Sequence, residues 1–155
     1  MTEEIDSPIR IFSDAETRHL LAREVQRCTR YQDFLSLCLV TASYPGAPRA
    51  EIDTAITRRI AAMLRATDIV GVVGRNIAVL LVHTPDVDAA VIADRIREQV
   101  QSDSVEPGQP SEWPGPVTLS MGLASFPGDA TRDDLLLAHA QAQLQSVPRP
   151  GRPPS

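Results

Sequence analysis

The chain has 155 residues, a net charge of -5 and a hydrophobic content of 43%, which suits one compact soluble domain with its own core. Its acidic balance argues against a nucleic-acid surface, because such surfaces usually carry a strong basic excess. All 15 basic residues are arginine, which excludes lysine chemistry of the Walker or Schiff-base kind. Neither a long apolar run nor a secretory leader is visible, so we expect a cytoplasmic protein without membrane contact.

The first third of the chain alternates helix and strand patterns. Ser13 and Glu16 have the spacing of a capping box, and apolar residues then recur at helical intervals, which predicts a helix over residues 14–30. Residues 34–42 are mostly apolar, as expected of a strand that is buried on both faces of a sheet. Residues 43–48 are rich in proline and glycine and predict a turn.

The middle of the chain predicts a helix and then a hairpin. An apolar stripe at i, i+4 spacing starts at Ile52 and predicts a helix that ends near Asp68. Residues 69–73 and 77–82 are short β-rich runs. They are joined by Gly74-Arg75-Asn76, so we expect a hairpin with a tight connection.

The last third predicts a helix, a loop, a strand and a final helix. The third helix begins near Thr84, and residues 103–116 are rich in Pro, Gly and Ser, which indicates a surface loop. We expect Trp113 to fold back from this loop and cover the core. Residues 117–126 predict a strand, and a turn then leads into the last helix.

This order of elements favours the α/β (α+β) class, with a mixed sheet packed against helices, over a barrel or a bundle. We divide the chain into a flexible tail over residues 1–10, one domain over residues 11–147 and a disordered C-terminal tail over residues 148–155. Cys28 and Cys38 have no partners at metal-ligand spacing. They are expected to be inert reduced thiols.

Three stretches, in sequence order, resemble one known family. The most specific is Val117 to Pro127, V-T-L-S-M-G-L-A-S-F-P, which is similar to the pattern V-T-x-S-x-G-x-A followed by an aromatic residue and often Pro. Leu64 to Gly71 is similar to L-R-x-x-D-x-V-[AG], and Leu35 to Val40 is similar to the first strand of that family. The family is GGDEF, the diguanylate cyclases. The resemblance implies a ferredoxin-like, palm-type nucleotide-cyclase fold with a central mixed, mostly antiparallel sheet of about five strands flanked by helices.

The chain departs from this family where its catalysis takes place. The namesake turn should hold two glycines and two acidic residues, but this chain has Gly74-Arg75-Asn76. The acidic positions of the first strand correspond to Thr41 and Ser43, and the following segment, which contacts guanine in the family, is short. Family chemistry joins two GTP molecules with Mg²⁺ held by those carboxylates, and uncharged hydroxyls bind Mg²⁺ weakly. We therefore expect no catalytic residue, no metal site, no required cofactor and no enzyme activity.

One ligand site of the family has matching residues. Arg65 and Asp68 fit the R-x-x-D motif that binds cyclic di-GMP, in which arginine pairs with phosphate or the guanine edge and aspartate accepts from guanine. Arg58, Arg59 and Arg75 are candidates to complete a phosphate cradle. The structural alternative is that Arg65 is a surface residue near a helix end and that Asp68 ends the helix or pairs with it.

Two hypotheses about function follow. The first is a cyclic di-GMP receptor, in which ligand at Arg65 and Asp68 changes a contact with a protein partner or a second copy. The second is an interaction module without a nucleotide ligand, a pseudo-enzyme that docks an unidentified signalling protein or forms a homodimer. An active diguanylate cyclase is the least favoured alternative, because the metal-binding carboxylates are missing.

Overall fold

The computed structural model describes residues 10–105 and 113–146. Within them, strands and helices alternate along a single sheet-forming domain. In chain order these elements are β1 (Ile11–Phe12), α1 (Asp14–Tyr31), β2 (Leu35–Ser43), α2 (Ala50–Ala61), β3 (Ile69–Val73), β4 (Asn76–Val82), α3 (Asp86–Val105), β5 (Thr118–Phe126) and α4 (Asp133–Ser146). The predicted tails fall mostly on residues 1–9 and 147–155, which lie outside the described residues.

The five strands form one sheet in the order β1-β3-β4-β2-β5. β1 pairs with β3 in parallel, and the other three pairings are antiparallel. The predicted mixed, mostly antiparallel sheet of about five strands is therefore confirmed. β1 itself was not predicted, since two residues are too few to show a strand pattern.

The sheet has a hydrophobic core on each face. One core contains residues of α2 and α3 and includes Ile56, Val100 and Trp113, so the predicted return of Trp113 to the core is confirmed. The other core contains residues of α1 and α4. β2 lies between them, and all its residues from Leu35 to Val40 are buried, as the unbroken apolar run predicts.

The first helix follows its capping box closely. The Ser13 hydroxyl accepts a hydrogen bond from Glu16 N (3.2 Å), and the Glu16 carboxylate accepts one from Ser13 N (2.9 Å). These two bonds satisfy amides that would otherwise lack partners at the helix start. The helix ends at Tyr31, and Gln32 adopts the left-handed conformation that commonly terminates helices.

Two predicted helix boundaries were wrong. α2 ends at Ala61 rather than near Asp68, because the Asp68 carboxylate accepts a hydrogen bond from Arg65 N (3.0 Å) and stabilises a turn there instead. α3 continues to Val105, into residues predicted to be loop. Ser104 is buried, and its hydroxyl oxygen accepts a hydrogen bond from Val117 N (2.9 Å). This tertiary contact stabilises the last turn of α3. No described helix is long and apolar enough to span a membrane.

Candidate functional site

An open cleft of about 900 Å³ lies where the end of β2, the start of α2 and the β3–β4 turn meet. Its walls include the apolar side chains Ile11, Val40 and Ile77 and several hydroxyl and amide groups. The cleft therefore contains the positions at which the family resemblance predicts metal-binding carboxylates.

Those positions hold neutral groups that bond to each other. Thr41 Oγ1 donates to Asn76 Oδ1 (2.8 Å), joining β2 to β4 across the base of the cleft. Ser43 also lines the cleft. Within residues 10–105 and 113–146, no group of three or more His, Cys, Asp or Glu residues could hold a metal ion. At the positions that the family pattern marks as acidic, the donors are therefore two hydroxyls and an amide, which suit Mg²⁺ poorly. The carboxylate of Asp53 also lines the cleft.

Tyr44 closes the short segment between β2 and α2, a role that the sequence analysis missed. Its hydroxyl donates to Asp53 Oδ1 (2.6 Å) and accepts from Arg49 N (3.0 Å). Burial, together with the adjacent Asp53 carboxylate, raises the pKa of Tyr44. The Asp53 carboxylate is therefore bound to the Tyr44 hydroxyl, and this hydrogen bond stabilises one wall of the cleft.

The β3–β4 turn is a two-residue connection, Gly74-Arg75, between the paired residues Val73 and Asn76. Gly74 has φ +62°, which suits a glycine at the first position of a tight hairpin turn. Gly74 N donates to Asp14 Oδ2 (2.6 Å), so the start of α1 holds the turn. The hydrogen bonds from Arg18 and Gly74 lower the pKa of Asp14. The predicted hairpin is confirmed, and Arg75 on its turn faces the cleft.

Arg65 and Asp68 lie at the opposite end of the same hairpin. Arg65 Nε and Nη2 donate to the two oxygens of Asp68 (3.1 and 2.9 Å), and Nη2 also contacts Val82 O (2.8 Å) and Thr84 Oγ1 (2.7 Å). The Asp68 side chain is 2% exposed, whereas that of Arg65 is 52% exposed. Asp68 accepts two further bonds from the amides of Arg65 and Val82. The pairing that the structural alternative predicts is present, and it leaves one face of the guanidinium accessible.

The Arg65 contact continues into a buried chain of hydroxyl groups. Thr84 is 3% exposed, and its carbonyl accepts from Ser36 Oγ (2.8 Å). Ser36 Oγ in turn lies 2.7 Å from Ser125 Oγ. The Arg65 head group is therefore linked through Thr84, in the connection between β4 and α3, to Ser36 on β2 and Ser125 on β5. Sequence could not indicate this, because the residues are far apart in the chain and none of them belongs to a recognisable motif.

The other candidate arginines do not gather around Arg65. Arg59 Nε donates to Asp103 Oδ2 (2.8 Å) and joins α2 to α3. Arg58 is exposed on α2, and Arg75 lies at the cleft. β3 separates the cleft from Arg65, and its five residues span about 17 Å of extended chain. The prediction of one cradle that includes Arg75 therefore fails on distance.

The family model "Diguanylate cyclase, GGDEF domain" matches residues 54–153, which is more than half of the chain. The chain belongs to the GGDEF family. The predicted resemblance is confirmed, and GGDEF domains are a family of signalling domains. None of the curated proteins matches the chain in sequence.

Solved GGDEF structures share the fold of this GGDEF domain. The GGDEF domain of PA1120 (YfiN or TpbB) from Pseudomonas aeruginosa is 21% identical, with a TM-score of 0.67 over 87% of this chain and 88% of that one. That of DgcB from Caulobacter crescentus, in complex with c-di-GMP, is 16% identical, with a TM-score of 0.70 over 94% and 89%. Diguanylate cyclase SiaD from Pseudomonas aeruginosa, in complex with its activator SiaC, is 20% identical, with a TM-score of 0.67 over 92% and 57%. These likenesses establish the palm-type cyclase fold.

Proposed function

We propose that this chain is a non-catalytic GGDEF domain, which signals by binding a ligand or a protein rather than by synthesising a nucleotide. The observation that carries the proposal is the Thr41–Asn76 hydrogen bond in the cleft. Thr41 stands where the family pattern has an acidic residue, and Asn76 begins β4 directly after the turn, within the stretch that should be acidic. Without carboxylates at these positions, the cleft lacks the ligands that would hold the divalent metal by which the family neutralises triphosphate charge.

Nucleotide turnover tests this proposal directly. We expect no cyclic di-GMP from GTP with Mg²⁺ or Mn²⁺, and we expect any GTP affinity to be the same with Mg²⁺ and with EDTA, because the cleft offers the metal no carboxylate pair. Product formation is measured by chromatography and affinity by calorimetry, with an active GGDEF domain as the positive control. Metal-dependent synthesis by the purified chain would refute the proposal.

Within this proposal, cyclic di-GMP is the ligand that the geometry favours, and Arg65 is its contact. More than half of the Arg65 side chain is exposed. Because Nε and Nη2 are engaged with Asp68, Val82 and Thr84, we assign the contact with a phosphate or a guanine edge to Nη1. The likeness to DgcB, whose structure contains c-di-GMP, supports this choice. Because Asp68 is buried and already accepts four hydrogen bonds, we assign recognition to Arg65 and assign Asp68 to positioning it.

Calorimetry with cyclic di-GMP tests the receptor role. We expect micromolar binding to the native chain and a loss of at least tenfold in affinity for Arg65→Ala, since the ligand loses a charge-assisted contact. Arg23→Ala is the matched control, because it removes an exposed arginine of α1 that is not a candidate for the phosphate cradle, and it should leave the affinity unchanged. Absence of heat at high ligand concentration would exclude the receptor role while leaving the non-catalytic proposal intact.

The alternative is an interaction module that docks a protein and takes no nucleotide. The exposed large apolar side chains include two pairs that are close in sequence: Tyr31 and Phe34 near the α1–β2 junction, and Val87 and Val91 on the first turns of α3. Exposed apolar groups of this kind are typical of protein contacts. The likeness to SiaD, solved with its activator SiaC, supports a protein partner for this domain. Failure to bind cyclic di-GMP, as measured above, would favour this alternative.

A further inference from the structure

Among residues 10–105 and 113–146, β5 forms one edge of the sheet and pairs only with β2. An edge strand presents a row of backbone N–H and C=O groups with which a strand of another chain can pair. Native proteins usually prevent this with charged residues or proline on the edge strand. β5 reads T-L-S-M-G-L-A-S-F over Thr118–Phe126 and contains neither. At nine residues it is also longer than an average strand of about five or six residues.

Side chains cover this edge instead. In an antiparallel ladder, every second residue directs its N–H away from the paired strand. On β5 these outward amides belong to Leu119, Met121, Leu123 and Ser125. Leu119 N donates to Gln101 Oε1 (2.9 Å), Leu123 N donates to Gln143 Oε1, and Ser125 N donates to Asp129 Oδ2 (2.8 Å).

The two glutamines reach the edge from opposite sides. Gln101 is on α3, which packs on one face of the sheet, and Gln143 is on α4, which packs on the other. Each places a side-chain carbonyl oxygen where a neighbouring strand would place a backbone carbonyl. Met121 N lies between the two contacts and has no side-chain acceptor among the residues that the structure describes.

We propose that Gln101 and Gln143 close the β5 edge against strand pairing, and that the partner they exclude is β5 of a second copy of this chain. An uncharged strand can pair with its own copy without repulsion between like charges. Antiparallel pairing about a two-fold axis near Met121 would use the same outward amides on both copies. The glutamines occupy the acceptor positions on either side of that axis, so the second strand cannot form its ladder while they remain.

Amide exchange, measured for each residue by NMR, tests whether Gln101 and Gln143 protect the outward amides of β5. In the native chain, the amides of Leu119 and Leu123 should exchange about fivefold more slowly than that of Met121, although all three lie on the edge. Gln101→Ala should accelerate exchange at Leu119 roughly fivefold and leave Leu123 unchanged, because one hydrogen bond of about 1 kcal/mol is lost. Gln143→Ala should do the reverse. Equal rates at the three amides, or no site-specific acceleration, would overturn the proposal.

Light scattering on the double variant Gln101→Ala/Gln143→Ala tests whether the two glutamines prevent β5 from pairing with β5 of a second copy. We expect concentration-dependent association that the native chain does not show, together with slower exchange at Met121 as its amide becomes paired. Gln99→Ala/Gln141→Ala removes one glutamine from each of the same two helices, but Gln99 bonds to Asp103 on its own helix and Gln141 lies beside α1. This control should behave like the native chain. A folded double variant whose association matches that of the native chain, or one that associates while Met121 still exchanges rapidly, would contradict the assignment of β5 as the partner.

Discussion

Gly122→Ala is expected to lower the free energy of unfolding by about 3 kcal/mol, since overpacking of a tight core costs roughly 1–3 kcal/mol or more. Gly122 lies on β5 directly beneath α4. A Cβ atom there would lie 2.1 Å from Ala140 O and 2.9 Å from Leu144 N. Both are backbone atoms of α4, so the added methyl group can be accommodated only if the helix moves away from the sheet.

Urea unfolding of the two proteins, followed by circular dichroism, measures the change. Gly128→Ala is the matched control: Gly128 follows the same strand, a Cβ there meets nothing within 4 Å, and its φ is not positive. This control should change the stability by less than about 0.5 kcal/mol. A loss below about 1 kcal/mol for Gly122→Ala would mean that α4 packs more loosely on β5 than its contacts indicate.

Arg65→Ala is expected to cost about 2 kcal/mol of stability, which is the range for hydrogen bonds to a charged group. The variant leaves the Asp68 carboxylate, which is 2% exposed, with only its backbone donors. It also removes the donor to Val82 O and to Thr84 Oγ1, and Thr84 is buried. The estimate stays moderate because half of the arginine side chain is in solvent, where ion pairs are screened.

A double-mutant cycle separates the ion pair from the other contacts of Arg65. In a background of Asp68→Ala, the further change Arg65→Ala should cost about 1 kcal/mol less than in the native chain, since no buried carboxylate is left unpaired. Denaturant unfolding of the four proteins gives the coupling. Strictly additive losses would show that Arg65 and Asp68 do not interact in solution. Because Arg65→Ala is weakened in this way, its ligand binding should be compared only at temperatures at which it is fully folded.

The elements with strong local signals could be predicted from the sequence. The capping box at Ser13 fixes the start of α1, and the unbroken apolar run of β2 predicts its burial between two layers of helices. The boundaries set by tertiary contacts could not. The end of α2 depends on the turn in which the Asp68 carboxylate accepts a hydrogen bond from Arg65 N. The end of α3 depends on the hydrogen bond from Val117 N to the Ser104 hydroxyl, between residues 13 positions apart. Neither contact leaves a periodic pattern in the sequence.

In the candidate site too, some features could be predicted from the sequence and others depend on tertiary contacts. The neutral residues Thr41 and Asn76 are visible in the sequence because a family pattern marks where acidic residues should stand. The pairing of Arg65 with Asp68 is likewise a local, i, i+3 contact. By contrast, the contact of Asp14 with the hairpin turn joins residues 60 positions apart. Hydrogen bonds between distant residues depend on the completed fold, and the residue types alone do not predict them.

If this domain is non-catalytic, as we propose, the hydrogen bonds of Tyr44 have a practical consequence for re-engineering it into a synthase. The Tyr44 hydroxyl holds Arg49 and Asp53 in a closed connection after β2, in the segment that the family uses to contact guanine. Carboxylates at positions 41 and 76 would supply negative charge for a cation. They would leave the segment after β2 held by the Tyr44 hydrogen bonds. A successful graft would have to exchange the whole stretch from Ser43 to Arg49 as one unit.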